Sequence, residues 1–164
     1  MEDLFGNISE SSEDTLKGRY LTFMIDKETF GIEIRFVMEI IGIQAITEMP
    51  EMPEYIKGII NLRGRIIAVM DVRLRFGKST RDYDDRTCVI VIDFSGISIG
   101  LIVDSVSEVL SISDENISER PNISNGESRG FVKNIGKLGS AVILLLDCGK
   151  LLSINEFEEI KDAI

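Results

Sequence analysis

Asn61-Leu62-Arg63-Gly64-Arg65-Ile66-Ile67-Ala68-Val69-Met70-Asp71-Val72-Arg73 holds a polar turn between two apolar runs, Gly58 to Ile60 before it and Ile66 to Met70 after it. Both runs are rich in β-branched residues, so they read as buried strands of a hairpin. The turn residues suit their place. An asparagine such as Asn61 can bond its own backbone two residues on, and Gly64 accepts positive φ at little cost. Such a hairpin holds Arg63 rigidly at a tip or cleft, where its fork of donors suits a carboxylate or a backbone carbonyl.

Outward from the hairpin, the chain supports a soluble globular fold. Its 164 residues are 44% apolar and 28% charged, the mix of an ordinary folded domain. A chain of this size buries about 70% of its unfolded surface and needs no metal or disulfide to fold. No apolar run reaches 18 residues, so no spanning helix is expected. Cys88 and Cys148 each lie in or beside an apolar run and read as free, buried thiols. The net charge of −10 repels phosphate backbones, which argues against nucleic acid. Histidine is absent, so Ser-His-Asp and Cys-His catalysis, a phosphohistidine acceptor and the HExxH zinc pattern are excluded. No metal and no cofactor is expected. Residues 1–18 carry five acids and one lysine and lack the regions of a secretory signal. They are expected to form a disordered acidic tail on a cytoplasmic protein.

Taken in order, alternation predicts strands over residues 19–26 and 30–34. Phe36, Val37, Ile40 and Ile41 predict helical turns over 35–41, in which Arg35 and Glu39 pair at i,i+4. A short strand at 45–49 and a short helix from Pro53 to Lys57 precede the hairpin. Asp71 caps a short helix reaching Phe76, which Gly77 stops. Residues 78–85 form a charged loop between lobes. Strands are expected at 86–93, 97–103, 130–134 and 141–147, with a helical turn or bend at 104–110. A long irregular, mobile stretch runs through 111–129. Ser153 to Glu156 reads as a capping box that opens a C-terminal amphipathic helix, 153–164, with Phe157, Ile160 and Ile164 on one stripe.

The two halves resemble each other. Residues 30–41 match 99–110, with Gly31/Gly100, Val37/Val106 and Glu39/Glu108 identical and five other pairs apolar in both. Residues 23–26 parallel 90–93, and 66–71 parallel 142–147, so the offset runs 67, 69, 76. Two copies of one β-rich unit follow, about 19–76 and 86–152, each with some five strands that close into a small barrel. Arg63 has no counterpart in the second copy, which marks it as a site candidate. Val37 and Val106, at matched positions, are candidates to face each other across a groove between the lobes.

Enzymatic chemistry finds little support. Asp26, Asp71, Asp93, Asp104 and Asp147 all end apolar runs, where aspartates cap helices and turns. An acid-base enzyme built on Asp71 and Asp104 is the alternative in that class. A β-barrel binder of small ligands or sugars is another, weakened by the absence of tryptophan.

Gly58-Ile59-Ile60-Asn61-Leu62-Arg63-Gly64 with Val69-Met70-Asp71-Val72-Arg73 resembles the signature of the CheW family of bacterial chemotaxis coupling proteins. Phe30 to Ile40 and Gly100 to Val106 also fit family patterns, and the similarity covers 19–152, nearly all of the folded part. Ala68 departs from the family, which usually has proline there. The resemblance implies a mainly β fold of two five-stranded SH3-like barrel lobes, about 19–77 and 86–152. It implies a non-catalytic adaptor that joins the helical hairpin tip of methyl-accepting chemoreceptors to the regulatory domain of the histidine kinase CheA, in the cytoplasm at membrane-bound receptor clusters. By motif, Arg63 and Glu39 become polar receptor-binding residues, and Leu21, Ile34, Val37 and Val106 line the apolar groove. The kinase-facing surface falls elsewhere, at a barrel end.

Overall fold

The apolar runs become strands that bury both faces, which is why they read as nearly unbroken rather than alternating. The computed structural model describes residues 16–119 and 130–153. Most of the expected acidic tail, the second half of the irregular stretch and the expected C-terminal helix beyond Ser153 lie outside the described residues.

The chain begins with a hairpin of β1 (Arg19–Ile25) and β2 (Glu28–Glu33). A 3-10 turn, Ile34–Phe36, leads into β3 (Val37–Gly42). The hairpin of β4 (Ile56–Leu62) and β5 (Arg65–Asp71) follows, then the one-turn helix α1 (Val72–Arg75). The second half repeats the plan with β6 (Cys88–Phe94), β7 (Ile97–Val103) and β8 (Ser105–Ser111). A short β9 (Ile117–Glu119), the hairpin of β10 (Val132–Leu138) and β11 (Ala141–Leu146), and α2 (Cys148–Leu152) complete it. Asp71 and Asp147 cap the two helices, their side chains accepting from the Leu74 and Lys150 amides at 3.3 and 3.2 Å.

The strands form a five-stranded sheet, β3-β6-β7-β5-β4, and a six-stranded sheet, β8-β1-β2-β11-β10-β9. Replacing each strand of the first sheet by its partner in the other repeat yields β8-β1-β2-β11-β10, so the duplication read from sequence is reproduced in the topology. Neither sheet, however, comes from one half of the chain. The hairpin β1–β2 sits with the second repeat and β6–β7 with the first. The lobes expected at 19–77 and 86–152 therefore exchange hairpins. Both sheets are open, ending at β3 and β4 or at β8 and β9, so neither lobe closes into a barrel.

Register gives the repeat its true offset. Val37 faces Ile92 across β3–β6, and Val106 faces Phe23 across β8–β1, which places Phe23 on Ile92 at an offset of 69 rather than 67. A two-residue slip keeps every side chain on its face, so apolar alternation alone does not resolve it.

Three apolar clusters hold the sheets. The largest lies between them and takes Phe23, Phe30 and Ile32 from one, and Met70, Ile90, Ile92, Ile99 and Leu101 from the other. Alternate residues face away from it. Ile60, Leu62, Ile67, Val69, Val89, Val91 and Ile102 form a second cluster on the five-stranded sheet, and Tyr20, Ile112, Ile143 and Leu145 a third. Rings run through the centre, Phe23 on Phe30, Phe30 on Phe76 and Phe76 on Phe131, at 5.8, 5.1 and 5.6 Å between centroids. Each fully buried phenylalanine contributes about 1.5–3 kcal/mol.

Five local expectations change. Residues 35–41 are not helical, because β-branched Val37, Ile40 and Ile41 fit a strand with a bulge between Val37 and Glu39. The bend expected at 104–110 is the equivalent strand β8. Residues 45–49 contribute one bridge, Thr47 to Ile59, and Pro53 opens a turn closed by Ile56 N–H on the Pro53 carbonyl at 2.9 Å. Strand β10 runs on through Gly136, where a Cβ would lie 2.9 Å from Ile112 Cδ1, so only glycine lets that side chain lie against the strand.

Candidate functional site

The β4–β5 tip is two residues long. Leu62 pairs with Arg65, and both central residues have positive φ, 51° at Arg63 and 88° at Gly64. That is the pattern of a primed hairpin turn, which matches the strand twist. Asn61 Oδ1 accepts from the Gly64 amide at 2.7 Å, three residues on, and locks the turn. The equivalent tip, between Leu138 and Ala141, has Gly139 at φ 59°. Glycine is the ordinary occupant of this conformation, and an arginine there is strained.

The strained arginine meets Glu39. The bulge in β3 re-aims that residue, and the Arg63 guanidinium donates to its carboxylate. Arg63 is 69% exposed and Glu39 28%. The pair raises the Arg63 pKa, chiefly through the hydrogen bond to Glu39. An ion pair so open to solvent adds little to stability. Beside it Arg65 donates to Ser98 Oγ at 3.0 Å, and Met38 and Ile66 are exposed apolar neighbours in sequence of the two charged positions.

Of the sequence candidates, Arg63 and Glu39 are brought together. Arg35, expected to pair with Glu39, instead lies 3.5 Å from Glu33 and stacks over the Phe36 ring. The four apolar candidates differ in exposure. Leu21, Ile34 and Val37 are 1%, 3% and 8% exposed and belong to the cluster between the sheets. Val106 is half-buried against the same cluster and is the one of the four that offers surface.

Asp71 and Asp104 both border a cavity of about 10 Å³, room for a single water. Their carboxylates are already engaged. Tyr83 Oη donates to Asp71 at 2.8 Å, and Asp104 accepts from Arg73 and Arg81 at 2.8 and 3.1 Å. The bond to Asp71, after burial itself, pushes the Tyr83 pKa up. A carboxylate pair so occupied is not poised for acid-base work. Among the described residues no group of His, Cys, Asp or Glu is placed to hold a metal, and no helix is long and apolar enough to cross a membrane.

Over 149 residues the chain is 36% identical to "Chemotaxis protein CheW" of Klebsiella aerogenes, covering 91% of this chain and 90% of that one. It is 35% identical to "Probable chemotaxis protein CheW" of Rhizobium etli over 84% of this chain and 89% of the relative. The crystal structure of the scaffolding protein TtCheW from Thermoanaerobacter tengcongensis matches with a TM-score of 0.77 at 34% identity, over 85% of this chain and 94% of that one. The family model of the CheW-like domain matches residues 19–156, and with two exchanged sheets and a strained arginine tip in place of a catalytic centre, the chain belongs to that family of chemotaxis scaffolds.

Proposed function

We propose that this chain is a non-catalytic adaptor that couples the helical hairpin tip of chemoreceptors to the regulatory domain of the kinase CheA, in the cytoplasm at membrane-bound receptor clusters. The observation that supports it best is Arg63. An arginine at a left-handed tip, where the sister repeat has glycine, presents its side chain at a cost in backbone strain. Arg63 and Glu39 then give a receptor helix one donor fork and one acceptor, fixing its orientation. Val106 supplies apolar contact, and Leu21, Ile34 and Val37 back that surface from beneath. The kinase domain takes a different surface, at a sheet end away from the Arg63 tip.

The test is co-purification with a receptor cytoplasmic fragment and with the kinase, using the chain with and without Arg63→Ala. Loss of the receptor with retention of the kinase supports the reading. Equal capture of the receptor by both forms overturns it.

A further inference from the structure

We infer that Arg73 closes an ionic latch across one of the two places where the chain passes between sheets, and that salt opens this latch while the opposite passage stays shut. Arg73 stands on α1, directly after the five-stranded sheet. Its Nη1 donates to Asp26 Oδ1 at 2.5 Å and to Asp104 Oδ2 at 2.8 Å, and its Nε donates to the Ser79 carbonyl at 3.1 Å. Asp26 is the turn of the β1–β2 hairpin in the other sheet. Asp104 is the residue at which β7 of one sheet becomes β8 of the other. Ser79 belongs to the connector between repeats. One guanidinium thus ties both sheets and the connector.

The surrounding charges complete the latch. Asp104 Oδ2 also accepts from the Asp26 amide at 2.8 Å and from Arg81 at 3.1 Å. Lys78 Nζ lies 3.6 Å from both Asp26 and Glu28, and Arg81 reaches Asp84 at 3.3 Å. The Arg73 and Asp104 side chains are only 11% and 10% exposed. Tyr83 packs against the second cluster, while its hydroxyl, Lys78 and Arg81 tie this segment to the rest of the fold by polar or ionic contacts. Val106 lies two residues beyond Asp104, so the latch also sets where β8 begins.

The opposite passage rests on rings, and the Arg35–Glu33 and Lys133–Glu33 pairs beside it, at 3.5 and 3.3 Å, are more open to solvent than Arg73 and Asp104 and add little. Between the repeats Arg73 corresponds to Gly149, Asp26 to Ser95, and Asp104 to Arg35. There Phe36 meets Phe94 edge-on at 5.1 Å, and Phe94 lies over Gly149, where a Cβ would be 3.5 Å from its ring. The aromatic passage is a pivot and the ionic one a fastening. Salt at about 1 M shortens the screening length to about 3 Å, against more than 10 Å at about 50 mM, and acts on the open members of the latch, Asp26, Glu28 and Arg81, while uncharged ring contacts feel no screening.

Hydrogen exchange of the full chain at low and high sodium chloride tests this directly. Amides in 24–29, 78–87 and 103–106 are expected to exchange about fivefold faster at high salt, while those in 34–37 and 93–97 hold their rates. Arg73→Met at low salt reproduces the high-salt pattern and no longer responds to salt. Rates independent of salt overturn the latch, as does an equal rise at both passages or an Arg73→Met chain that keeps the salt response. Should Arg73→Met fold poorly, Asp26→Asn provides the same comparison, and the unaltered chain decides it without any variant.

Discussion

Arg63 and Gly139 occupy the same corner of the two repeats, with φ of 51° and 59°. One carries a side chain into a conformation that disfavours it, and the other carries none. Replacing Arg63 by glycine removes the guanidinium and the strain together. Arg63→Gly is expected to leave the thermal midpoint unchanged or raise it, while receptor capture falls at least about tenfold. Scanning fluorimetry beside a pull-down separates the two effects, and a collapsed midpoint would make Arg63 a folding residue.

Val37 and Val106 have equivalent places but unequal surroundings. Val37→Asp buries a carboxylate in the central cluster and is expected to cost about 3–5 kcal/mol in urea denaturation. Val106→Asp keeps access to water and costs about 1–2 kcal/mol. Only Val106→Asp therefore reports on binding, weakening the receptor interaction and sparing the kinase. Equal destabilisation by the two variants would contradict the difference in burial.

Gly58 carries the Thr47 bridge. A Cβ at this position collides with the Thr47 carbonyl, and its φ of 146° suits no other residue. Gly58→Ala is expected to lower the unfolding free energy by about 2–4 kcal/mol with an unchanged denaturant slope. A wild-type midpoint would mean that the bridge is dispensable.

The Arg73 hydrogen bond holds the Asp26 carboxyl below its usual range. A pKa lowered by folding contributes stability that is complete above the free value, about 3.9, and is lost as pH falls through the folded one. Melting curves from neutral pH downward are expected to fall less steeply below about pH 4 for Asp26→Asn than for the unaltered chain. Asp84, held low chiefly by the Arg86 amide, keeps its own share in both. Parallel acid limbs would show that Asp26 is not linked to folding.

Burial pushes the Cys148 thiol up to about 12, and it pushes Cys88, half-buried, up as well. The direction reverses that of Asp26. Here the stability is complete below the free-thiol value of about 8.5 and is lost as pH rises toward the folded value. With a thiol reagent near pH 8, Cys88 of the native chain is expected to react first and Cys148 only after unfolding. Native labelling of Cys148 at the Cys88 rate would refute its burial.

Local chemistry was the legible part. Asp71 as a cap, Gly77 as a stop and the Asn61–Gly64 turn follow from rules that act within four residues, and all three are present, although Asn61 bonds the amide three residues on rather than two. The duplication was legible because Gly31 and Gly100 repeat under close neighbours: a Cβ at either would press on Leu145 or on Val89. Partnership over distance was not. Glu39 had Arg35 nearby in sequence, and only the bulge turns it to Arg63. Asp26 and Asp104 looked like caps, since nothing local announces a shared arginine on the distant helix α1. The exchange of hairpins was hidden for the same reason, because β2 pairs with β11 through residues whose pattern fits any parallel neighbour.

That exchange governs how the molecule can be born. Thr29 pairs with Met24 inside its own hairpin, but on its other side with Ile143, so on the ribosome that outer edge of β2 must wait exposed until β11 has emerged. The two halves mature together or not at all, and severing the connector yields no half that owns a whole sheet.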